Sequence, residues 1–186
     1  ISYGNSIVRS GGIADAKLKQ EVAQIVRGAE SKVVSSMTMA AVDNYESARK
    51  ELLQVADQGG ATGLGEQALN ALVMSSKDKK DLATLFDAGT KLVQQYPQSQ
   101  NAKTTLGFLI DASVKIGQFR LLAEYLELFV QRYPGDENAT LFSLQAAQIR
   151  EGLGQYADAN RNYRRLLKQG GINAQQLETA LFSCAD

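Results

Sequence analysis

The chain has 186 residues, of which 20 are basic and 20 acidic, so its zero formal net charge provides no general attraction to nucleic acid or to an anionic membrane. The absence of histidine excludes imidazole catalysis and imidazole metal ligation, and the single cysteine, Cys184, cannot form an internal disulfide or a thiolate cluster. We therefore expect no nucleic-acid partner, no metal, no cofactor and no enzymatic activity.

The first 14 residues show no sustained hydrophobic period and contain several glycines, so we interpret residues 1–14 as a linker or a disordered arm. The chain starts at Ile1 without a methionine, from which we expect an excised or processed fragment. No apolar run approaches about 18 residues, so direct membrane insertion is not expected. A helical repeat domain is predicted over residues 15–186.

Apolar residues in this domain follow helical spacing, and no long alternating pattern indicates a strand, so the predicted fold class is all-α. The stretch before residue 41 is either one long helix or two shorter ones divided near Gly28. The clearest amphipathic helix lies at 154–167, where one stripe contains Tyr156, Ala159, Tyr163, Leu166 and Leu167.

This pattern recurs every 37 residues. The aromatic or apolar residue that begins a second helix recurs at Tyr45, Leu82, Phe119 and Tyr156, and the unit end recurs at Gly60, Pro97, Pro134 and Gly171. The sequence predicts four helix–turn–helix units at about 29–60, 66–97, 102–134 and 139–171, with turns near residues 43, 79, 117 and 154. A lone terminal helix is predicted over 174–186. Units of this kind bury their apolar faces by stacking on their neighbours.

The units resemble tetratricopeptide repeats, whose helical hairpins have a period of about 34 residues. The fourth unit has that family's glycine, aromatic, alanine and aromatic pattern in Gly154, Tyr156, Ala159 and Tyr163, and the third unit has Gly117, Phe119, Leu122, Leu126 and Pro134. The resemblance covers about residues 29–186, although the chain lacks the family's tryptophan and its period is three residues longer. It implies a right-handed superhelical array, or α-solenoid, of about four units.

In such an array the first helices line a concave face, and the resemblance implies that a protein or peptide partner binds there. By register this face would include Gln67, Asn70, Met74, Thr104, Asp111, Gln145 and Gln148. The basic edge of the last full helix is a competing partner surface and contains Arg161, Arg164, Arg165 and Lys168. We expect a non-catalytic interaction or scaffolding module, and the alternative is a structural spacer or self-assembly unit without a peptide groove.

Arrays with Tyr-Pro unit ends are similar to bacterial envelope proteins, which favours a periplasmic or envelope location over a cytoplasmic one. The oligomeric state is left open. The segment 63–68 matches a G-x-G-x-x-A motif, but no strand precedes it and Glu66 occupies the place of a phosphate-loop lysine, so we expect no nucleotide site. We interpret Glu124 and Glu127 as solvated, and the aromatic residues at repeat positions as core.

Overall fold

The computed structural model of the chain describes residues 24, 27–35, 44–58, 63–169, 175, 178 and 182. All secondary structure in this part of the chain is helical, as predicted. Residues 27–35 are helical, and between residues 44 and 169 the described segments form seven further helices: α1 (Tyr45–Gln58), α2 (Leu64–Lys79), α3 (Leu82–Gln95), α4 (Gln100–Lys115), α5 (Phe119–Arg132), α6 (Ala139–Gly152) and α7 (Tyr156–Gln169).

The second helices of the hairpins repeat with the predicted period. Each of α1, α3, α5 and α7 has 14 residues, and each begins 37 residues after the one before it. α3 and α5 both stop before a Tyr-Pro pair, where Tyr96 and Tyr133 have nearly the same backbone angles, with φ of −125° and ψ of 56° or 57°. A residue that precedes proline avoids the α region, so these pairs end their helices in the same way.

The turns predicted near residues 79, 117 and 154 are confirmed at residues 80–81, 116–118 and 153–155. Connections this short make the two helices of each pair antiparallel neighbours. Helices pack in sequence order, with α1 on α2, α2 on α3, α5 on α6 and α6 on α7. The first of these turns lies one or two residues later than predicted, because residues 77–79 still belong to the last turn of α2.

The chain divides into two compact units. The first ends at Thr105 and the second begins at Leu106, so the boundary falls within α4. The predicted turn near residue 43, the arm at 1–14 and most of the terminal helix at 174–186 lie outside the described residues. The superhelical arrangement of the units stays a prediction.

The core of the second unit lies between α6 and α7. Leu144 and Ala147 of α6 pack there with Ala159, Tyr163 and Leu166 of α7. Edge-to-face packing of Phe129 on Phe142 joins α5 to α6, with ring centroids 5.0 Å apart.

Of the three aromatic residues that begin second helices, Phe119 and Tyr156 are exposed, contrary to the prediction that they are core, whereas Tyr45 is partly buried. Tyr156 is 70% exposed and Phe119 is 54% exposed. Both are first residues of helices at the tip of a hairpin, where the preceding helix has already ended. The buried members of each stripe begin one turn later, at Leu122 and Ala159.

Each of the three described turns that follow a first helix contains one residue in the left-handed region. The φ angle is 59° at Lys80, 68° at Gly117 and 71° at Gly154, and these residues are again 37 positions apart. In all three turns the next backbone N–H donates to the carbonyl five residues before it, for example from Asp81 to Ser76 at 2.8 Å. This is the bond of a Schellman motif, in which glycine is favoured because it has no Cβ. Lys80 therefore adopts a conformation that is costly for its residue type.

Replacing Lys80 by glycine is expected to raise the free energy of unfolding by about 0.5–1 kcal/mol. Relief of left-handed strain, about 1–2 kcal/mol, exceeds the added chain entropy of glycine, about 0.5–1 kcal/mol. The reverse changes, Gly117→Ala and Gly154→Ala, should lower it by about 1 kcal/mol or more. A Cβ at either glycine would meet no atom within 4 Å, so the cost would come from the backbone alone.

Urea unfolding of the wild type and of the three variants measures these differences in the free energy of unfolding. Gly107→Ala is the matched control, because this glycine lies inside α4 and its Cβ would also meet no atom within 4 Å. It should raise stability by about 0.8–1 kcal/mol through helix propensity. If Gly117→Ala and Gly154→Ala stabilised the protein as the control does, the left-handed conformation of these two glycines would be contradicted.

Candidate functional site

The predicted partner-binding residues of α2 lie along one side of that helix. Gln67 and Asn70 are partly exposed, and Met74 is 42% exposed. Their spacing of three and then four residues places them on one helical stripe. The opposite side of α2 is buried through Leu69, Leu72 and Val73, so the stripe is the solvent side.

The predicted residues on α4 and α6 also face solvent. Thr104 and Asp111, seven residues apart on α4, are exposed, as are Gln145 and Gln148 on α6. Each set shares one face of its helix. The structure thus presents a polar stripe on each first helix, and a single concave face that combines the three stripes stays a prediction.

A groove of ≈ 670 Å³ follows the outer side of α7, and we call it the α7 groove. The end of α6 and the first turns of α7 line it with two alanines and with Glu151, Tyr156, Asn160, Arg161, Tyr163 and Arg164. Its described lining residues come from two helices, so the pattern of either helix alone does not predict it. The predicted basic edge of α7 therefore borders a cavity as well as solvent.

The floor of the α7 groove is fixed by internal contacts. Tyr163 is fully buried, and its hydroxyl donates to a carboxylate oxygen of Glu151 at 2.7 Å. Arg161 forms an ion pair with Asp158 one turn earlier. Tyr156, Asn160 and Arg164, by contrast, make no hydrogen bond or ion pair within the part of the chain that the structure describes.

A partly buried ion pair joins α5 to α6. Arg150, 7% exposed, donates from Nε and Nη2 to the two carboxylate oxygens of Glu127 at 2.9 and 2.7 Å. Its Nη1 donates to Oε1 of Gln155 at 2.7 Å, and Asn162 of α7 donates to Glu127 at 2.7 Å. The interpretation of Glu127 as a solvated carboxylate is therefore wrong, because its partners lie on two other helices.

The charges of this pair are mutually stabilised. Burial alone would raise the pKa of Glu127, but the hydrogen bonds from Arg150 and Asn162 outweigh it and hold the pKa below its ordinary value. The hydrogen bond to Glu127 likewise raises the pKa of Arg150. The position of Arg150 in the repeat is occupied in the other turns by Ser76 and Ser113, whose hydroxyls donate to carbonyls of their own helices.

A second polar cluster in the first unit is structural as well. Asp81 caps α3 by accepting from the backbone N–H of Thr84 at 3.1 Å and from its hydroxyl at 2.6 Å. The hydroxyl of Tyr45 in α1 donates to the same carboxylate at 2.8 Å. Burial is the main cause, and this hydrogen bond the second, that raises the pKa of Tyr45 to about 12. Burial would also raise the pKa of Asp81, but the bonds from Thr84 and Tyr45 outweigh it and lower the pKa.

Glu66, from the glycine-rich motif, is used to position the start of α4. Its carboxylate accepts from the hydroxyl of Ser99 and from Nδ2 of Asn101, the latter at 2.8 Å. The motif itself forms the entry and first turn of α2, with Gly63 in the left-handed region at φ of 75°. This carboxylate therefore stabilises a helix junction, and no strand precedes it within the described residues.

Comparison of the chain with models of known protein families gives no match, and comparison with curated proteins gives no significant match. Among the residues that the structure describes, no group of three or more Asp, Glu or Cys side chains is arranged to hold a metal ion. Nor does any helix of the described segments have the length and apolar character needed to cross a membrane. The tetratricopeptide assignment thus depends on the residue pattern, and it stays a prediction.

Arg150→Ser is expected to lower the free energy of unfolding by about 2–4 kcal/mol, because it leaves Glu127 partly buried without its cation. The double variant Glu127→Thr/Arg150→Ser, which installs the residues of the preceding repeat at Thr90 and Ser113, should recover most of that loss. Urea unfolding of the single and double variants measures the difference. Additive losses in the double variant would contradict a coupled pair.

The decrease in the free energy of unfolding at acid pH should depend on Glu127. Its folded-state pKa lies below the unfolded value of about 4.3, so its stabilisation is present above that pH and is lost as pH falls through the folded pKa. Glu127→Gln should therefore give a protein that is less stable at neutral pH but loses less stability between about pH 6 and pH 3. Glu137→Gln, which removes an exposed charge from a loop, is the control and should retain the wild-type slope.

Proposed function

We propose that the chain is a non-catalytic protein-binding or scaffolding module, built as a right-handed array of tetratricopeptide-like hairpins. The observation that supports this most directly is the exposed polar stripe on each of α2, α4 and α6. A helix whose other side is buried against its neighbours has only such a stripe left for recognition. Regularly spaced stripes of this kind suit an extended or helical peptide.

The chemistry of the stripes indicates how a partner would be held. Gln67, Asn70, Gln145 and Gln148 have side-chain amides, each with donors and an acceptor that can pair with a peptide backbone. Met74 adds a flexible apolar contact. Each hydrogen bond would contribute about 0.5–1.5 kcal/mol, so affinity depends on several bonds acting together. With few charges on the stripes, binding should depend only weakly on salt.

The polar clusters inside the protein support a binding role over catalysis. Four groups of these clusters with shifted pKa values, Tyr45, Asp81, Glu127 and Arg150, bond to residues of neighbouring helices. Such groups stabilise packing and are not presented to a substrate. An envelope location, inferred from the resemblance to envelope arrays with Tyr-Pro unit ends, is part of this proposal.

The test begins with partner capture by the immobilised chain and identification by mass spectrometry. The captured partner's affinity is then measured for wild type and for Gln145→Ala/Gln148→Ala. The double variant should bind about fivefold to 100-fold more weakly, since up to two hydrogen bonds are lost. Gln94→Ala/Gln131→Ala removes two exposed amides from second helices and is the matched control.

Equal losses in both variants would contradict binding by the first helices. Sedimentation of the chain alone separates this proposal from the spacer alternative. Concentration-dependent self-association without partner capture would favour a self-assembly unit.

A further inference from the structure

Three side chains of the α7 groove line up along one helical stripe. Tyr156, Asn160 and Arg164 follow one another at intervals of four residues. The interval places them one above the other on the helix surface, over a length of about 12 Å. Tyr156 is 70% exposed, Asn160 is partly exposed, and Arg164 is exposed.

The equivalent stripe of α5 has a different environment. Ala123, the counterpart of Asn160, is fully buried, and Glu127, the counterpart of Arg164, binds Arg150 and Asn162 of the following hairpin. From Ala123 onward, this side of α5 is thus a packing surface, whereas Phe119 at its start is exposed. On α7 the same side lines a cavity of ≈ 670 Å³, and alanine, glutamate and phenylalanine are replaced by asparagine, arginine and tyrosine.

The polar character of the α7 groove favours a negatively charged occupant. Two arginines line the groove: Arg161 is paired with Asp158, whereas Arg164 makes no ion pair within the described residues. Glu151, the single carboxylate among the described lining residues, already accepts a hydrogen bond from Tyr163. α7 as a whole has four basic residues and one acidic residue. An arginine can bind a carboxylate through two parallel hydrogen bonds, which gives direction as well as charge.

We propose that the α7 groove binds an acidic peptide segment of a partner protein. Arg164, with Arg161 beside it, binds a carboxylate of the segment. The Asn160 amide, which can donate and accept at once, pairs with a peptide group of its backbone. An apolar side chain of the segment packs on the ring of Tyr156 and on Ala157. At about 3.3 Å per extended residue, the 12 Å stripe accommodates about four peptide residues.

This inference rests on the proposed function, because it assigns a second surface to a protein-binding module. The two surfaces differ in chemistry. The stripes of the first helices offer amides and should bind with little salt dependence, whereas the α7 groove offers guanidinium groups. Its binding should weaken strongly between low salt and about 0.5 M salt, where the screening length falls to a few ångströms.

The experiment uses the full chain and a fluorescein-labelled probe peptide, acetyl-Glu-Glu-Phe-Glu-Glu-amide, in fluorescence anisotropy at low salt. Saturable binding is expected. A probe with glutamine in place of every glutamate should bind at least about tenfold more weakly, as should the acidic probe to Arg161→Gln/Arg164→Gln. Tyr156→Ser should weaken binding about fivefold through loss of the apolar contact.

Lys115→Gln/Arg120→Gln is the matched control, since it removes two exposed cations of the same unit from outside the groove. It should change affinity by less than about twofold, because only diffuse attraction is lost. Circular dichroism melting confirms that each variant is folded. No saturable binding of the acidic probe to wild type, or an equal loss in the control, would overturn the inference.

The outcome is separable from that of the proposed function. Failure of the probe with intact capture through Gln145 and Gln148 would remove the α7 groove alone. A chain that sediments as a dimer and is returned to monomer by Tyr156→Ser would show that a second copy fills the groove, which also overturns the inference.

Discussion

The structure depends on how each hairpin is closed. A short connection that reverses the chain brings the facing apolar stripes of two antiparallel helices together. A left-handed residue followed by a hydrogen bond back to the end of the first helix achieves this at Lys80, Gly117 and Gly154. Because this geometry is the same in these three turns, α3, α5 and α7 begin at equivalent positions. The positions of Leu85, Leu122 and Ala159 in the core follow from it.

A position buried at the end of each first helix shows how equivalent sites can diverge without changing the backbone. Ser76 and Ser113 bond to their own helices, so they make no demand on their surroundings. Arg150 at the same place needs a carboxylate and a carbonyl oxygen within reach, and Glu127 and Gln155 supply them. Only a preceding hairpin with a carboxylate at the position of Glu127 can therefore pair with Arg150 of α6, whereas a serine at that site is compatible with many neighbours.

Prediction from the sequence succeeded for the described helices and for the turns at Lys80, Gly117 and Gly154, because their signals are local: helical spacing, glycine and the Tyr-Pro pairs. It failed for Tyr156 and Phe119, since the apolar period gives the phase of a residue around its helix but not whether a neighbouring helix extends that far. Glu127 was missed because its cation lies 23 residues away on another helix. The stripes of Asn70, Asp111 and Gln148 could be predicted, but the α7 groove could not, because its walls come from two helices.

The constant spacing of the hairpins bears on how such a chain could grow or shorten. A duplication or deletion of 37 residues between equivalent points of two second helices would rejoin the chain at the same phase of such a helix, because these helices begin 37 residues apart. The backbone would accept the change without a new loop. The side chains at the new boundary would determine whether the altered chain folds. A serine at the position of Arg150 would be compatible with more neighbouring hairpins than the arginine, because it needs no carboxylate partner. Ancestry by tandem duplication would then remain visible in the backbone long after the side chains had specialised.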